Sequence, residues 1–377
     1  MSHDIVIAGF SSSPIERKSD RSITAFAQDA ILGAISDAGL GRDQIDGYIG
    51  APFATNAGSP HAEGGDEISV KTVAAVMGFK GLRYGTDLYR RYPADMVASA
   101  AHALIAGDCR YIVGLRALYN IQGRPYSTAE VDLAYGNDQF IKPFGYNLAG
   151  ARFASRAQRY MALHGITRDD LYEVVALSRR HAALNPFAIW KGRPLSREEY
   201  FEAKMVASPH CLFDCDMPVC GAAAFVMCRA DDLPAGAVPA YVVGWSGFQT
   251  PEAVFEMSGL SARDVRAVQL YDGFSSMVYE WLERFGFCEE GKAPRFIRDG
   301  KANIDGSLPL NTFGGSLGEG RLHGSGHLRE AYLQVSGKAG ARQLSSQGPC
   351  LVQIGPFDDS AFVMLQPEPR RRRATAY

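Results

Sequence analysis

The sequence predicts an α/β fold built from a duplicated strand–helix unit, and three observations support this prediction. Amphipathic helical segments alternate with short apolar strands, a pattern typical of mixed, largely parallel sheets covered by helices. The same order of elements occurs once in each half of the 377-residue chain, which indicates an internal duplication. The composition, 46% hydrophobic and 21% charged, is that of an ordinary globular protein.

The first half supplies one copy of this unit. Its predicted helices span 22–39 and 93–107, and its predicted strands span 45–50 and 111–115. Ile23, Phe26 and Ile31 recur at helical spacing and give the first helix an apolar face. The second helix is rich in alanine, and Pro93 and Gly107 stand where a helix begins and ends.

The second half repeats the unit with a strand at 267–270, a helix at 326–341 and a strand at 351–354. A region that lacks this alternation of strands and helices separates the two copies, and we expect it to form a lid that shapes the pocket. The predicted organisation is an N-terminal half (1–117), a lid insertion that returns to the core (118–235), a C-terminal half (236–366) and a basic disordered tail (367–377).

The composition and the charge of the chain indicate which classes of partner and which cellular compartment to expect. A net charge of −2 gives no indication of nucleic acid or of a membrane surface, and no apolar run is long enough to span a bilayer. The N-terminus lacks the pattern of a signal peptide, so we expect a cytoplasmic protein. The spacing of Cys211, Cys215 and Cys220 admits a metal site, but it is not that of a zinc motif, and we expect buried thiols and no metal.

The segment 311–328 is the most informative part of the chain. It contains six glycines, which suit a loop where the backbone takes positive φ or approaches another group closely. A predicted helix follows it, and Arg321, His323 and His327 lie inside it. The sequence therefore predicts an active-site or ligand loop.

Four separated motifs then agree with one family. They are Gly107-Asp at the end of the alanine-rich helix, the pair of segments 164–167 and 181–186, the run 218–224, and the segment 271–288 together with the start of the glycine loop at 311–315. Together with the duplication, they resemble the thiolase superfamily, nearest to the sterol-carrier-protein-x-type thiolases and the thiolase-like lipid-transfer proteins. The resemblance implies the five-layered αβαβα thiolase fold with mixed sheets, a homodimer, and coenzyme A bound as a thioester substrate without a tightly bound cofactor.

The catalytic positions of thiolases are replaced in this chain. Arg90 stands where the family has its nucleophilic cysteine, Arg321 matches the histidine of the family's Gly-His-Pro, and Tyr271 replaces the residue that binds the thioester oxygen. The second catalytic cysteine would lie near Ile354, whereas Cys350 comes too early. Covalent catalysis needs an ionisable thiol beside a base, so chemistry through an acyl-enzyme is disfavoured.

The loss of the nucleophile favours a reaction that needs no acyl-enzyme. The chain resembles the thiolase-like aldolases of steroid side-chain degradation, which lack the cysteine and carry a tyrosine at the position of Tyr271. Their glycine loop has Tyr before Ile-His-Gly; here His323 matches and Arg321 replaces the tyrosine. The resemblance implies a retro-aldolase that cleaves a bulky β-hydroxyacyl-CoA, a steroid side chain among the candidates, into a ketone or aldehyde and a shorter acyl-CoA. It also implies a separate OB-fold/zinc-ribbon partner protein.

Roles follow for the site residues. Tyr271 is the first choice for acid/base work, Arg321 would lower its pKa or stabilise the enolate, His323 is the alternative base with a near-neutral pKa, and Asp272 would orient the loop. The choice of base among Tyr271, Arg321 and His323 stays open. The predicted substrate-binding residues are Asn311, Gly314, Gly315, Gly324, Tyr89 and Tyr92. For Asn311 the alternative role is to hold the glycine turn through its side chain.

Two other functions stay open at this point. One is a non-catalytic thiolase-fold subunit that binds acyl-CoA or lipid and supports a partner protein. The other is acyl transfer through Cys350. The acyl chain and the direction of the reaction, cleavage or condensation, are not specified by the sequence.

Overall fold

The chain contains one large mixed β-sheet with helices on both of its faces. The structure is a computed structural model, and it describes residues 4–51, 68–88, 91–119, 136–144, 146, 149–247 and 251–370. Tyr89 and Arg90, at the position of the missing nucleophile, lie outside the described residues. So does 371–377, the greater part of the predicted basic tail.

The first half follows the predicted alternation. Its elements are β1 (Ile5–Ser12), α1 (Ile23–Asp37), β2 (Gly47–Gly50), α2 (Val70–Met77), β3 (Tyr84–Asp87), α3 (Pro93–Ala106) and β4 (Ile112–Leu118). The Ser22 side chain caps α1 by accepting a hydrogen bond from the Ala25 N–H, which satisfies a donor that the helix leaves unpaired. Pro93 opens α3, and Gly107 closes it at φ 80°. The two predicted helices are therefore confirmed.

The inserted region is mainly helical and then returns to the sheet. It contains α4 (Ala149–His164), α5 (Arg168–Ala182), α6 (Arg197–Glu202), the two-stranded pair β5 (Met205–Ala207) and β6 (His210–Cys211), and finally β7 (Gly221–Arg229). The last strand belongs to the large sheet, between β4 and β1. A lid function for the rest of the insertion stays a prediction.

The second half contains β8 (Ala240–Gly247), α7 (Glu252–Ser258), β9 (Ala267–Leu270), α8 (Met277–Arg284), α9 (Ala293–Arg298), α10 (Gly315–Glu319), α11 (Ser325–Val335), β10 (Cys350–Ile354) and β11 (Ala361–Gln366). Two predictions need correction. The glycine-rich segment is not wholly a loop, because it contains α10 and the start of α11. The last helix ends before 341, since Gly337 takes φ 74° and turns the chain.

The strand order makes the duplication visible. The large sheet runs β3-β2-β4-β7-β1-β8-β11-β10-β9. In the first half β2 and β4 are parallel and β7 is antiparallel, and in the second half β9 and β10 are parallel and β11 is antiparallel. The halves meet where Ile5 to Ile7 of β1 pair with Ala240 to Val242 of β8. The two copies are thus related by topology, as the sequence predicts.

The two halves of the sheet lie on opposite sides of the central helices α3 and α11, and the outer helices complete five layers. Helix α3 packs on β4 and β7 of one half and on β8 and β11 of the other, and α11 likewise touches β9 and β10 as well as β1. Helix α1 covers β1 and β7 from outside, and α7 covers β8 from outside. Ala94, Ala100 and Ala101 of α3 are fully buried, and such small side chains let both halves approach the central helix closely. The predicted thiolase-type layering is confirmed.

Within the described ranges, the chain contains neither a membrane-spanning helix nor a cluster of metal-ligating side chains. Every helix there is too short or too polar to cross a bilayer. In the same part of the chain, no group of three or more His, Cys, Asp or Glu side chains is arranged to hold a metal ion. The cysteines proposed as alternative ligands are free thiols.

Candidate active site

The candidate site lies where two parallel strands end. Strands β9 and β10 are paired with Leu270 opposite Gln353, so Tyr271, Asp272 and Gly355 leave the sheet at one edge. The Tyr271 N–H donates to the backbone oxygen of Gln353 at 3.1 Å and to its Oε1 at 3.0 Å. Carboxyl ends of parallel strands are the usual location of ligand sites in α/β folds.

Asp272 connects this edge to the glycine-rich segment. Its Oδ1 accepts hydrogen bonds from the Ser316 N–H at 2.7 Å and from His327 Nε2 at 3.0 Å, and its Oδ2 accepts one from the Leu317 N–H at 3.3 Å. Gly315 takes φ 63°, and any Cβ there would collide with the Asp272 carboxylate. This is the geometry expected of the loop-orienting role predicted for Asp272. His327, which lies inside the predicted loop and was given no role there, takes part in it.

Asn311 fixes the start of the same segment. At φ 49° its carboxamide pairs with β9, donating from Nδ2 to the Leu270 oxygen and accepting at Oδ1 from the Leu270 N–H, both at 2.8 Å. This arrangement matches the alternative role of holding the glycine turn. A Cβ on Gly314 would lie 2.8 Å from Ala182, and one on Gly324 would collide with Ile354. Protein packing accounts for these glycines, and their contact with substrate stays a prediction.

His323 is held in an unusual way. Its backbone takes φ 50°, and its Nδ1 lies 2.6 Å from Nη2 of Arg116. A guanidinium only donates hydrogen bonds, so Nδ1 must accept and the ring proton must be on Nε2. Burial, Arg116 and Arg321 lower the pKa of His323 well below its usual value. The prediction of a near-neutral base is therefore wrong, and the ring is a neutral donor through Nε2–H.

Arg116 is a site residue that the sequence analysis missed. It lies on β4 and is 4% exposed, and its Nη1 also donates to the Ala51 oxygen at 2.9 Å. Burial lowers its pKa to about 10, which leaves it charged at neutral pH. The sequence does contain a signal for this residue, because Arg116 is a charged residue within an otherwise apolar run. Arginine is almost never fully buried unless it is paired.

Arg321 and Asp216 form the opposite side of the site. The Arg321 N–H donates to the Met217 oxygen at 2.8 Å, and its Nε lies 3.9 Å from Oδ2 of Asp216. Burial and then Asp272 raise the pKa of Asp216 well above its usual value, whereas burial and then Arg116 lower that of Arg321 to about 9. The sequence analysis also missed Asp216, which only the fold places beside Arg321.

The electrostatic surroundings of Tyr271 differ from the prediction. Burial raises its pKa well above 10, and Asp216, Tyr92 and Asp272 raise it further. The cation that lowers this pKa is Arg116, not Arg321 as predicted. Tyr271 is therefore a phenol at neutral pH. Among the described residues its hydroxyl has no hydrogen-bond partner, which leaves it available to a ligand.

Tyr92, a predicted substrate-binding residue, belongs to the same cluster. It precedes α3, and its ring centroid lies 6.2 Å from that of His323. A Cβ on Gly355 would lie 2.8 Å from the Tyr92 ring, so the ring packs against the end of β10. Burial is the main reason why its pKa is raised. Tyr92 is thus a neutral wall of the site.

Cys350 is badly placed for acyl transfer. It lies at the start of β10, opposite Ala267, whereas the site lies at the other end of that strand. A strand rises about 3.3 Å per residue, which puts Cys350 about 13 Å from Ile354 along the strand. The thiol is buried, and burial raises its pKa. The position and the burial of Cys350 therefore argue against acyl transfer through this thiol.

Comparisons with known proteins identify relatives of the whole chain. A family profile described as "Thiolase C-terminal domain-like" matches residues 247–364. The chain is 31% identical to a 17-hydroxy-3-oxo-4-pregnene-20-carboxyl-CoA lyase of Mycobacterium tuberculosis over 89% of its length and 92% of the relative's. It is 32% identical to a steroid side-chain-cleaving aldolase of Thermomonospora curvata, with coverages of 88% and 90%. The solved Ltp2-ChsH2(DUF35) aldolase superposes with a TM-score of 0.86 at 28% identity, covering 98% of both chains.

Proposed function

Since the chain belongs to the thiolase superfamily and, within it, to the steroid side-chain-cleaving aldolases, we propose that it cleaves a bulky β-hydroxyacyl-CoA without a nucleophilic cysteine. The products are a ketone or aldehyde and a shorter acyl-CoA. The observation that carries the proposal is that Tyr271, His323, Arg321 and Arg116 lie together in one buried cluster. Steroid side chains are the substrate class that the named relatives suggest.

The reaction moves one proton and breaks one bond. The β-hydroxyl gives up its proton, the Cα–Cβ bond breaks, and its electron pair forms the thioester enolate, which is then protonated at Cα. Tyr271, a phenol at neutral pH, donates a proton to Cα as this bond breaks and recovers one from the β-hydroxyl, so that the proton balance closes on one residue. Arg116, which lowers the Tyr271 pKa, stabilises the transient phenolate.

The enolate oxygen needs donors that are already in place. His323 offers Nε2–H because its Nδ1 is occupied by Arg116, and Arg321 offers a guanidinium that remains charged at neutral pH. Preorganised donors at a developing oxyanion lower the barrier because they need no reorganisation during the reaction. Asp272 contributes by fixing the segment that carries both residues.

Partners form a finer part of the proposal. The solved aldolase with the high TM-score is named as a complex with a DUF35 protein, and a separate partner protein is proposed for this chain as well. The family resemblance implies that this partner has an OB-fold and a zinc ribbon. A homodimer is proposed because it is implied by the superfamily. Coenzyme A enters only as the thioester of the substrate.

Isotope transfer tests the reaction directly. The protein, co-purified with any partner, is incubated in D₂O with 3-hydroxyacyl-CoA thioesters, and the products are analysed by mass spectrometry. A retro-aldolase releases the carbonyl compound and an acyl-CoA with one deuterium at Cα, and no acylated protein is trapped. The variant Cys350→Ala should behave in the same way. A trapped acyl-enzyme, or tight binding of the thioester without cleavage, would exclude the proposal.

A further inference from the structure

The backbone that carries Tyr271 belongs to neither a helix nor a strand. This tyrosine segment (271–276) lies between the end of β9 at Leu270 and the start of α8 at Met277. The Tyr271 ring folds back over its own segment, because a Cβ on Gly273 would lie 2.9 Å from the ring and 3.3 Å from the hydroxyl oxygen. The position of the hydroxyl therefore depends on the contacts that hold Gly273 and its neighbours.

The end of the insertion supplies such contacts through its backbone. The Asp216 N–H donates a hydrogen bond to the Gly273 oxygen at 3.1 Å, and the Ser275 N–H donates one to the Asp214 oxygen at 2.9 Å. The two stretches of chain run antiparallel where they meet. We call residues 210–216 the clamp segment. Its backbone bonds fix the part of the tyrosine segment on which the tyrosine ring lies.

The Asp214 carboxylate strengthens this pairing. Its Oδ1 accepts a hydrogen bond from the Ser275 hydroxyl at 2.5 Å, and its Oδ2 accepts one from the Cys211 N–H at 2.8 Å. The Tyr200 hydroxyl lies 2.9 Å from both carboxylate oxygens. An ionised carboxylate only accepts hydrogen bonds, so three donors suit it. Of these donors, Ser275 is the one that belongs to the tyrosine segment.

His210 holds the last residues of the tyrosine segment. Its Nε2 lies 3.0 Å from the Ser276 hydroxyl, and its ring stacks on that of Phe274 with centroids 5.3 Å apart. His210 is buried, and burial lowers its pKa, so the ring is neutral at neutral pH. The clamp segment thus contacts four consecutive residues of the tyrosine segment, from Gly273 to Ser276.

The chain that follows the clamp segment reaches the opposite side of the site. The Met217 oxygen accepts a hydrogen bond from the Arg321 N–H at 2.8 Å, and Pro218 forms a parallel β-bridge with Arg321. One short stretch of backbone therefore contacts both the tyrosine segment and the glycine-rich segment. Two groups that act on one substrate must keep a fixed separation, and this stretch can set it.

We propose that the clamp segment positions the Tyr271 hydroxyl for proton transfer, with Asp214 and Ser275 as its positioning residues. This inference rests on the proposed function, and it gives the insertion a role in catalysis other than that of a lid. Both side chains are completely buried, so they act through Tyr271 and not on the substrate. A displacement of about 1 Å can cost about 100-fold in rate, so the Ser275–Asp214 bond should matter for kcat.

Two variants that each remove one hydroxyl from the same carboxylate test the clamp. Ser275→Ala breaks the bond to the tyrosine segment, whereas the matched control Tyr200→Phe breaks a bond to α6. Both should lower the midpoint of urea unfolding, because each loses a buried hydrogen bond. Ser275→Ala should in addition lower kcat by about 10- to 100-fold at an unchanged KM, and Tyr200→Phe should not. Equal losses of kcat, or none in Ser275→Ala, would overturn the inference.

Combination with Tyr271→Phe distinguishes positioning from a general weakening of the site. If Ser275 acts through the Tyr271 hydroxyl, Ser275→Ala should have little further effect on the residual turnover of Tyr271→Phe. A loss by the same factor in both backgrounds would mean that Ser275 acts independently of that hydroxyl, and the positioning role would then be wrong.

Amide hydrogen exchange separates this inference from the proposed function. Mass spectrometry of the peptide that contains 271–276 needs no substrate, and exchange should be faster in Ser275→Ala than in Tyr200→Phe. Faster exchange, with no cleavage of any β-hydroxyacyl-CoA by the unmodified protein, would support the clamp and refute the aldolase. Cleavage by the unmodified protein, with unchanged exchange and kcat in Ser275→Ala, would refute the clamp and leave the aldolase intact.

Discussion

Replacing Tyr271 by phenylalanine should reduce turnover and leave stability unchanged. The substitution removes one oxygen, and within the described ranges that hydroxyl has no hydrogen-bond partner. Its removal therefore breaks no bond in the resting protein, and the free energy of unfolding should stay the same or rise slightly. During the reaction, however, the hydroxyl carries the proton between the substrate oxygen and Cα.

The size of the kinetic effect follows from that role. General acid–base groups contribute about 10²- to 10⁴-fold to rate, so kcat should fall by that factor, equivalent to about 3 to 5 kcal/mol in the activation barrier. The assay is release of the carbonyl product under saturating thioester, alongside chemical denaturation and thioester binding. Binding should change little, because the scaffold of the site does not depend on this oxygen.

Tyr279 provides the matched control. It is also buried, with a pKa raised well above 10, but its hydroxyl donates to the Asp170 oxygen at 2.6 Å. Tyr279→Phe should lower stability by about 1 kcal/mol through the lost hydrogen bond and preserve turnover. Wild-type turnover in Tyr271→Phe, or an equal loss in both variants, would refute the assignment of Tyr271.

Three further predictions follow from the site. Asp216→Asn mimics a protonated carboxyl and should keep most of the activity; a loss of about 10²-fold or more would instead make Asp216 a base. Because burial and two cations disfavour protonation of His323, kcat/KM should stay flat as the pH falls from about 7 to 6 and decrease only at lower pH; a limb near the ordinary histidine pKa that His323→Asn removes would contradict this. Gly324→Ala puts a Cβ into Ile354 at φ 87° and should cost about 1 to 3 kcal/mol by overpacking. Gly192→Ala, at φ 69° with open space around it, should cost only about 1 kcal/mol in urea unfolding; equal losses would refute the packing argument.

The elements with strong local signals were predicted well. Helix α3 begins at Pro93 and ends before Gly107, as expected, because these two residues restrict the backbone without help from the rest of the fold. The duplication could also be predicted from the sequence pattern, because each copy must bury its own apolar face. These features depend on neighbours within a few residues.

Helices α10 and α11 show why the glycine loop was harder to interpret. Glycine content argues against a helix on local grounds. Here the Asp272 carboxylate accepts hydrogen bonds from the Ser316 and Leu317 N–H groups in the first turn of α10. Helix α11 is buried between the two halves of the sheet. These tertiary contacts outweigh the weak local propensity, and no sequence window contains them.

The electrostatics of the site could not be derived from residue identities. His323 was expected to have a near-neutral pKa, but burial, and then Arg116 and Arg321, lower that pKa, and Arg116 is distant in sequence. Asp216 lies near the end of the insertion, and Arg116 lies on β4. Only the fold brings these two residues close to Tyr271. The sequence pattern was enough to locate the glycine-rich segment. The charge states of its side chains depend on neighbours that only the three-dimensional structure shows.

The position of β1 in the sheet has a consequence for biosynthesis. This first strand is sandwiched between β7 and β8, with Ile5 paired to both Arg229 and Val242. Neither neighbour exists until the ribosome has passed those residues, and at about 5 to 20 residues per second that delay is roughly 10 to 50 seconds. During that interval the nascent chain exposes an apolar strand with both edges unpaired, the form most prone to association with other chains. We therefore expect the yield of folded protein to depend on chaperones that shield β1 in the nascent chain.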